Sequence, residues 1–265
     1  MFSISKLAIK YLRYYAGASN GRGHGIHSPF VFEFITKVLN DKQPYPAYPT
    51  IEQLRQTLSK DSRVLEIRDH GAGSVDGNHI ERTVGSIARR AAKPKKYGQL
   101  LYRIAKYYAP AQTIELGTSL GITTAYLSMA NEKGTVTTIE GDRSIAAVAY
   151  NNFLKLGLKN IELVNEPFDE CLGNILRKRD KIDFAFIDGN HRFEATQEYF
   201  LLLLSHMGKE SVIVFDDIHW SKEMERAWEV IKTHPDVLLT VDLFFIGLVF
   251  FRDSFEVKQH FLIRF

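Results

Sequence analysis

A regular alternation of strand-like and helix-like segments begins at Pro94 and constrains the fold more than any other feature of the sequence. Short apolar runs typical of strands, each next to a helical pattern, occupy 112–116, 135–140, 160–164, 182–187 and 211–216. Strands that alternate with helices predict a doubly wound parallel sheet. Two later runs, 237–244 and 247–252, are joined too tightly for a crossover helix, so we expect an antiparallel C-terminal hairpin. The predicted fold class is α/β, with a mostly parallel sheet of seven strands.

The first 93 residues lack this alternation and are predicted to be a mainly helical N-terminal extension. Residues 1–21 have the apolar spacing of an amphipathic helix. Its predicted apolar face consists of Ile4, Leu7, Ala8, Tyr11, Leu12 and Tyr15. Ser28 followed by Pro29 favours the start of a second helix. We therefore expect a helical extension or substrate cap over residues 1–93 and one larger domain over residues 94–265.

The composition indicates a globular protein without a membrane span. The chain of 265 residues has a net charge of +3 and a single cysteine, Cys171, so no internal disulfide can form. Its most apolar stretch, 238–251, is shorter than the roughly 20 residues that a spanning helix needs. The N-terminus lacks the apolar segment of a signal peptide, so we expect a cytoplasmic protein. The basic run at 89–96 is typical of a solvated face, and nucleic acid is not an expected partner.

Glycine-bearing loops follow two apolar runs, VLEIRDHGAGS (64–74) and TIELGTSLG (113–121). Ligands of open parallel sheets bind beyond the carboxyl ends of the strands, and only the second loop joins a strand to a helix of the alternating region. Gly117 and Gly121 flank a turn that can offer backbone N–H groups to an anionic tail at a helix N-terminus. Hydroxyl groups in the same stretch come from Thr118, Ser119 and Thr123.

Glu140 ends the next predicted strand and indicates a cofactor with an adenosyl group. A carboxylate at that place can accept hydrogen bonds from both ribose hydroxyls, although a solvated loop glutamate is the alternative. A dinucleotide fingerprint needs glycine at position 119, where Ser119 stands, and no Walker A sequence is present. No second strand ending in an acid follows VLEIRDHGAGS, which is therefore predicted to be a turn region. The alternative is a segment that contacts substrate through Asp69, His70 and Ser74.

Three acidic residues follow the fourth and fifth predicted parallel strands. Asp188 ends one strand, and Asp216 and Asp217 end the next, so their carboxylates should converge at one mouth. Such carboxylates repel one another unless a hard cation such as Mg²⁺ neutralises them; the alternative is that Asp216 or Asp217 caps a turn. His191 is a candidate proton acceptor because an imidazole titrates near neutral pH, and the alternative is a surface histidine at a helix start. His219 and Trp220 are expected to form walls of the substrate pocket.

Four motifs in order resemble the class I S-adenosylmethionine-dependent methyltransferases, whose fold is Rossmann-like. They are KYGQLLYRIAKYY, IELGTSLGITT, FAFIDGNHRFEATQEYF and VIVFDDIHW. Together they resemble the catechol and caffeoyl-CoA O-methyltransferases and the bacterial macrolide-sugar O-methyltransferases. The stretch HGIHSPFVF (24–32) is similar to the amino-terminal part of bacterial methyltransferases of this kind.

The resemblance implies a role for each candidate residue. Glu115 and Gly117 would lie along the methionine part of the cofactor, in the loop that continues through Thr118, Ser119 and Gly121. Thr123 would hold the methionine carboxylate. Glu140, followed by Gly141, would bind the ribose, and the adenine would lie near Asn165, Glu166, Pro167 and Phe168. Asp188 would contact the cofactor and, with Asp216 and Asp217, would bind a divalent metal. The catechol enzymes often have asparagine at the position of Asp217, and a lysine at that of His191.

These residues predict a methyltransferase that moves a methyl group from S-adenosylmethionine to a hydroxyl of a small molecule. Mg²⁺ or another divalent cation would orient the acceptor oxygen, and His191 would accept its proton. An RNA or protein methyltransferase and a non-catalytic, cofactor-binding interaction protein remain alternatives. A homodimer is also left open, and the acceptor cannot be identified from the sequence.

Overall fold

The computed structural model describes residues 1–68, 79–90 and 92–265. Its α-helices are α1 (Ile4–Gly17), α2 (Pro29–Phe34), α3 (Ala47–Ser59), α4 (Val84–Arg90), α5 (Lys95–Tyr108), α6 (Ile122–Ala130), α7 (Arg143–Leu156), α8 (Phe168–Leu176), α9 (Phe193–Leu204) and α10 (Lys222–Thr233). Its strands are β1 (Val64–Arg68), β2 (His79–Thr83), β3 (Gln112–Leu116), β4 (Thr135–Ile139), β5 (Ile161–Val164), β6 (Ile182–Ile187), β7 (Met207–Asp216), β8 (Leu239–Asp242), β9 (Ile246–Phe250) and β10 (Gln259–Leu262). A π-helical turn, Ile35–Leu39, continues α2.

The chain forms two compact units. The discontinuous unit combines Met1–Asp41 with Arg179–Phe265, and the continuous unit is Lys42–Lys178. Neither unit begins or ends at residue 93. The division into an N-terminal extension and a larger domain at that residue stays a prediction.

The continuous unit contains a parallel three-stranded arrangement in which β4 lies between β3 and β5. Its helices begin and end where the sequence provides caps. At the start of α7, Asp142 accepts a hydrogen bond from the N–H of Ile145 at 2.9 Å, and Gly157 ends that helix with a φ of 68°. Strands β1 and β2 pair antiparallel in this unit. VLEIR of the first glycine-bearing stretch therefore belongs to a hairpin, whereas Asp69, His70 and Ser74 lie outside the described residues.

The discontinuous unit contains five strands in the order β10-β8-β9-β7-β6. Strands β6 and β7 are parallel, and β8 and β9 form the antiparallel hairpin. The predicted α/β class, mostly parallel sheet and C-terminal hairpin are confirmed. The unit adds β10, parallel to β8, which the sequence did not predict. Only two of its four residues, Phe261 and Leu262, are apolar, and the four are partly buried and exposed in turn. A long apolar run, which would have indicated a strand, is therefore missing at β10.

Helix α1 is confirmed, and only part of its predicted apolar face is buried. Ile4, Leu12 and Tyr15 are 88%, 66% and 49% exposed. Tyr14 is buried instead, and it packs with Tyr11 against Phe244. The apolar face is wider than the side that packs on the protein, and spacing alone does not tell which part of this face is covered. Within the described ranges, no helix is long and apolar enough to cross a membrane.

Candidate active site

The loop after β3 has a backbone that only small residues allow. Gly117, Ser119 and Gly121 have φ angles of 104°, 47° and 79°, all in the left-handed region. A Cβ atom at Gly121 would overlap the ring of Phe153, so glycine is required there by space as well as by conformation. The loop therefore keeps a tight, close-packed shape before α6 begins.

Hydrogen bonds fasten this loop to the neighbouring strand. The N–H groups of Gly117 and Thr118 both donate to the carbonyl oxygen of Ile139 at 3.1 Å. Beneath them, Glu115 is fully buried, and Thr138 donates to its Oε2 at 2.6 Å. The hydroxyl of Thr118 lies 2.6 Å from that of Thr138. The carboxylate of Glu115 thus organises the base of the loop.

The first turn of α6 has the geometry of an anion site. Gly121 is its N-cap, and no side chain caps the turn. The N-terminal end of a helix directs N–H groups and partial positive charge outward, which favours a carboxylate there. Thr123, the predicted carboxylate ligand, lies in this first turn.

Glu140 follows β4 and contacts the same loop. Its Oε2 accepts the N–H of Ser119 at 2.8 Å, and its Oε1 accepts the N–H of Asp142 at 3.1 Å. Burial raises the pKa of Glu140 to about 7, although these hydrogen bonds oppose the shift. The side chain of Asn165 donates to the carbonyl oxygen of Glu140 at 2.7 Å. The loops that follow β3, β4 and β5 are therefore held together within the continuous unit.

The other candidate ligands for adenine follow Asn165 directly. Glu166 is exposed, whereas Pro167 and Phe168 are partly buried at the start of α8. Their position next to Asn165 places them in the loop tied to Glu140.

In the discontinuous unit, Asp188, His191 and Asp216 form a cluster suited to a metal ion. One ligand atom from each residue lies within 4.8 Å of the others. The parallel register of β6 and β7 pairs Ile187 with Phe215, so the two aspartates come side by side at the strand ends. Asp216 is 1% exposed, and His191 Nε2 lies 3.6 Å from Asp188 Oδ1. Carboxylate oxygens and an imidazole nitrogen at this separation can share one divalent cation.

Asp217 is not a member of this three-residue group. Successive residues at a strand end point to opposite faces, so two adjacent aspartates do not normally aim at one point. Asp217 has a φ of 53°, and its N–H donates to the carbonyl oxygen of Phe245 at 2.7 Å. Its role as a metal ligand stays a prediction.

The backbone before His191 adopts a turn that the sequence did not predict. Asn190 and His191 both have left-handed φ angles, 63° and 38°. The side chain of Asn190 donates to the hydroxyl of Tyr199 on α9 at 3.2 Å. Asparagine tolerates this conformation better than most residues, so Asn190 was the available signal. The turn sets the place of His191 relative to Asp188.

His219 and Trp220 lie in the loop that follows Asp216 but do different things. The Nε2 atom of His219 lies 2.8 Å from Asp242 Oδ2. Burial opposes the charged imidazole, but hydrogen bonds to Asp242 and Glu225 outweigh it and raise the pKa of His219. His219 therefore attaches the loop that follows Asp216 to Asp242 and Glu225. The ring centroid of Trp220 lies 5.6 Å from that of His191. This position beside the cluster is compatible with the predicted wall of a substrate pocket.

The chain is similar to known methyltransferases at the level of a family model and of the fold. A family model described as a methyltransferase domain matches residues 114–218. No curated protein sequence matches the chain. The fold is similar to that of the O-methyltransferase TomG from Streptomyces achromogenes, involved in tomaymycin synthesis and solved with SAM. The identity is 23%, the TM-score is 0.51, and the match covers 61% of this chain and 82% of TomG.

Two further solved structures are similar in fold over more of the chain. The methyltransferase PaMTH1 from Podospora anserina, bound to SAH, has 12% identity and a TM-score of 0.59, covering 96% of this chain and 98% of its own. An O-methyltransferase from Bacillus cereus in complex with SAH has 19% identity and a TM-score of 0.56, covering 83% and 97%. The matched family segment contains the loop after β3, Glu140, Asp188, His191 and Asp216. The resemblance to class I methyltransferases is confirmed.

Proposed function

We propose that this chain, which has a methyltransferase domain over residues 114–218, transfers the methyl group of S-adenosylmethionine to a hydroxyl of a small molecule, assisted by a divalent cation. The observation that carries the proposal is the cluster of Asp188, His191 and Asp216 at the ends of β6 and β7. A methyltransferase needs a cofactor site and a means of activating the acceptor, and the chain has candidate residues for both.

Apart from Asp188, the candidate residues for binding the cofactor all lie in the continuous unit. The first turn of α6 has no side-chain cap, so its N–H groups suit the methionine carboxylate. Gly121 keeps the preceding loop close-packed, and Thr123 would lie beside the carboxylate. Glu140 would accept the ribose hydroxyls through the carboxylate that now accepts the N–H of Ser119. S-adenosylmethionine supplies an electrophilic methyl group on its sulfonium when bound.

Further contacts are proposed for the remaining residues of these loops. Gly117, Thr118 and Ser119 would line the methionine part above Glu115, whose buried carboxylate supports the loop. The adenine would lie against Gly141, Glu166, Pro167 and Phe168.

The donor set of the acidic cluster fits a divalent cation. Asp188 and Asp216 would be its ligands, with His191 adjacent and Asp217 as a further candidate. Mg²⁺ and Mn²⁺ both suit the carboxylate oxygens. When bound, the cation supplies positive charge that favours the ionised form of an acceptor hydroxyl.

Two residues of the discontinuous unit would act on the acceptor. His191 would take the proton of the acceptor hydroxyl on Nε2, the atom that lies nearest Asp188. Trp220 would pack against the acceptor beside His191. Asp188 and Asp216 would orient the acceptor oxygen, because transfer requires that this oxygen be in line with the methyl carbon.

The first experiment separates cofactor binding from chemistry. S-adenosylmethionine is titrated calorimetrically into the full chain with Mg²⁺ or with EDTA. Transfer of a labelled methyl group is then measured on a panel of catechols, phenols and sugars, and on bulk RNA and protein. We expect cofactor binding in both conditions and cation-dependent transfer to a small hydroxyl compound. No cofactor binding, or transfer only to RNA or protein, would overturn the proposal.

A second experiment tests the proton acceptor. In His191→Gln, turnover should fall on the order of 100-fold because the general base is lost, while cofactor affinity stays the same. The matched variant His206→Gln changes a partly exposed histidine of the same unit, outside the cluster, and should leave turnover unchanged. Equal turnover in the two variants would remove His191 from the mechanism.

A further inference from the structure

Helix α1 has an outward apolar side that the packing of the protein does not explain. With about 3.6 residues per turn, Ile4, Ala8, Leu12 and Tyr15 fall on one side of the helix. This outer stripe is exposed at all four positions, with Ile4 at 88% and Leu12 at 66%. The neighbouring Ile9 is 52% exposed. Single exposed apolar residues are ordinary, but a continuous row of them marks an interaction site.

The helix cannot rotate to bury this stripe, because the side next to the stripe is fixed against the protein. The hydroxyl of Tyr14 donates to the carbonyl oxygen of Ile263. The ring of Tyr11 meets Phe244 edge-on at 5.1 Å between centroids. Lys10 Nζ lies 2.7 Å from Glu225 Oε1. A polar bond, an aromatic contact and an ion pair therefore fix the orientation of the helix. At the end of the outer stripe, the guanidinium of Arg264 lies 4.7 Å from the ring centroid of Tyr15, which remains 49% exposed.

The charged residues of α1 itself are all positive. No acidic residue occurs before Glu33. Lys10 is paired with Glu225, whereas Lys6 and Arg13 are exposed. These two residues share a sector of α1 that adjoins the outer stripe on the side of Ile9. The helix thus has three sectors, one packed on the protein, one apolar and outward, and one basic and outward.

We propose that α1 docks the protein on an anionic lipid surface. A helix with an apolar side and a neighbouring basic side lies in the interface of a bilayer, with the apolar residues among the acyl chains and the cations at anionic headgroups. The outer stripe extends over about 16 Å from Ile4 to Tyr15. The site is peripheral, and it differs from a membrane-spanning helix, which the described ranges do not contain.

Charge argues against a second copy of the chain as the occupant. An isologous contact through the outer stripe would place α1 against its own copy. Two copies of α1, which has no acidic residue, would then add their positive charges at the contact. An anionic bilayer complements both sectors, the apolar one and the basic one.

The test is binding of the full chain to vesicles. Phosphatidylcholine vesicles with and without phosphatidylserine are sedimented with the protein. We expect binding to the anionic vesicles that weakens with added salt. Leu12→Glu should lower the partition on the order of tenfold, because a charge replaces an apolar group immersed in the interface. Lys6→Glu with Arg13→Glu should abolish the preference for phosphatidylserine.

Leu201→Glu provides the matched control. Leu201 is a 53% exposed leucine on α9 of the same unit, outside α1, so this variant should bind vesicles as the unchanged protein does. Thermal unfolding checks that each variant is folded. Equal partition of Leu12→Glu and Leu201→Glu would overturn the proposal. So would a lack of vesicle binding, including the case in which sedimentation velocity shows a dimer that Leu12→Glu dissociates.

Discussion

The loop after β3 and the cluster of Asp188, His191 and Asp216 are two candidate site regions built in different ways. The loop depends on backbone conformation, with three left-handed residues and N–H groups that donate to Ile139. The cluster depends on side chains, brought together because β6 and β7 end in register. Substitutions that keep the backbone should therefore spare the first region, whereas even isosteric changes should damage the second.

The largest effect is expected from Asp216→Asn in the cluster. This change removes a charge from a nearly fully buried position while keeping the shape. We expect turnover to fall on the order of 1,000-fold, because several kcal/mol of electrostatic stabilisation are lost. Calorimetry should find the affinity for S-adenosylmethionine unchanged.

Asp217→Asn is the natural comparison, since Asp217 lies next in sequence but outside the three-residue group. A much smaller loss of turnover is expected from it. If both variants lost activity equally, Asp217 would have to be a ligand in the working enzyme.

Gly121→Ala should do the greatest damage to the loop. The added Cβ would overlap Phe153, and the φ of 79° disfavours any side chain. We expect the free energy of unfolding to fall by about 3 kcal/mol, with loss of cofactor binding. Chemical denaturation measures the first effect and calorimetry the second.

Gly157→Ala controls for conformation alone. Gly157 also has a left-handed φ, 68°, but no atom lies within 4 Å of the position of its Cβ. This variant should lose only about 1 kcal/mol and retain cofactor binding. A loss as large as that of Gly121→Ala would show that the overlap with Phe153 does not matter.

Glu140→Gln should separate stability from binding. The pKa of about 7 in the folded state lies above the ordinary value of 4.5. The folded protein is therefore disfavoured as the pH rises from 4.5 to 7, and this cost persists at higher pH. At pH 8 the glutamine variant should be more stable by about 3 kcal/mol, and this gain should vanish near pH 4.5.

The same variant should bind S-adenosylmethionine at least tenfold more weakly, since charge-assisted hydrogen bonds to the ribose are lost. Thermal unfolding and calorimetry over a pH series measure both quantities. Glu132→Gln, at an exposed glutamate of the same unit, should change neither. Unaltered affinity in Glu140→Gln would exclude Glu140 from the cofactor site.

The smallest effect is expected from Tyr199→Phe. The variant removes the hydroxyl that accepts a hydrogen bond from Asn190, next to His191. One net hydrogen bond is worth about 1 kcal/mol, so turnover should fall about fivefold while cofactor affinity is unchanged. Steady-state kinetics measures the change, and an accompanying fall in cofactor affinity would mean that the effect is not local to His191.

Local signals were sufficient for most of the fold and for much of the candidate site. Short apolar runs between helical segments predicted strands β3 to β9, and the short connection between the last two runs predicted their antiparallel pairing. Asp188 and Asp216 could be placed together because parallel strands end at the same edge. These inferences need only patterns within a few residues and one general rule of topology.

Features that depend on distant residues could not be read in the same way. Lys10 pairs with Glu225, which is 215 positions away, and no local pattern selects that partner. Which part of the apolar face of α1 is buried depends on Phe244, which lies far along the chain. The grouping of His191 with the acids depends on the left-handed turn at Asn190, for which the sequence contains only a weak preference.

The discontinuous unit has a consequence for how the protein folds during synthesis. Tyr14 donates to the carbonyl oxygen of a residue 249 positions later, so α1 leaves the ribosome long before its packing partners exist. Contacts of such sequence separation form late and slowly. The continuous unit, Lys42–Lys178, needs no residue beyond its own end to complete its internal contacts. During translation, the continuous unit should therefore fold first. Helix α1 has by then left the ribosome without its packing partners, so its apolar residues can be bound by chaperones.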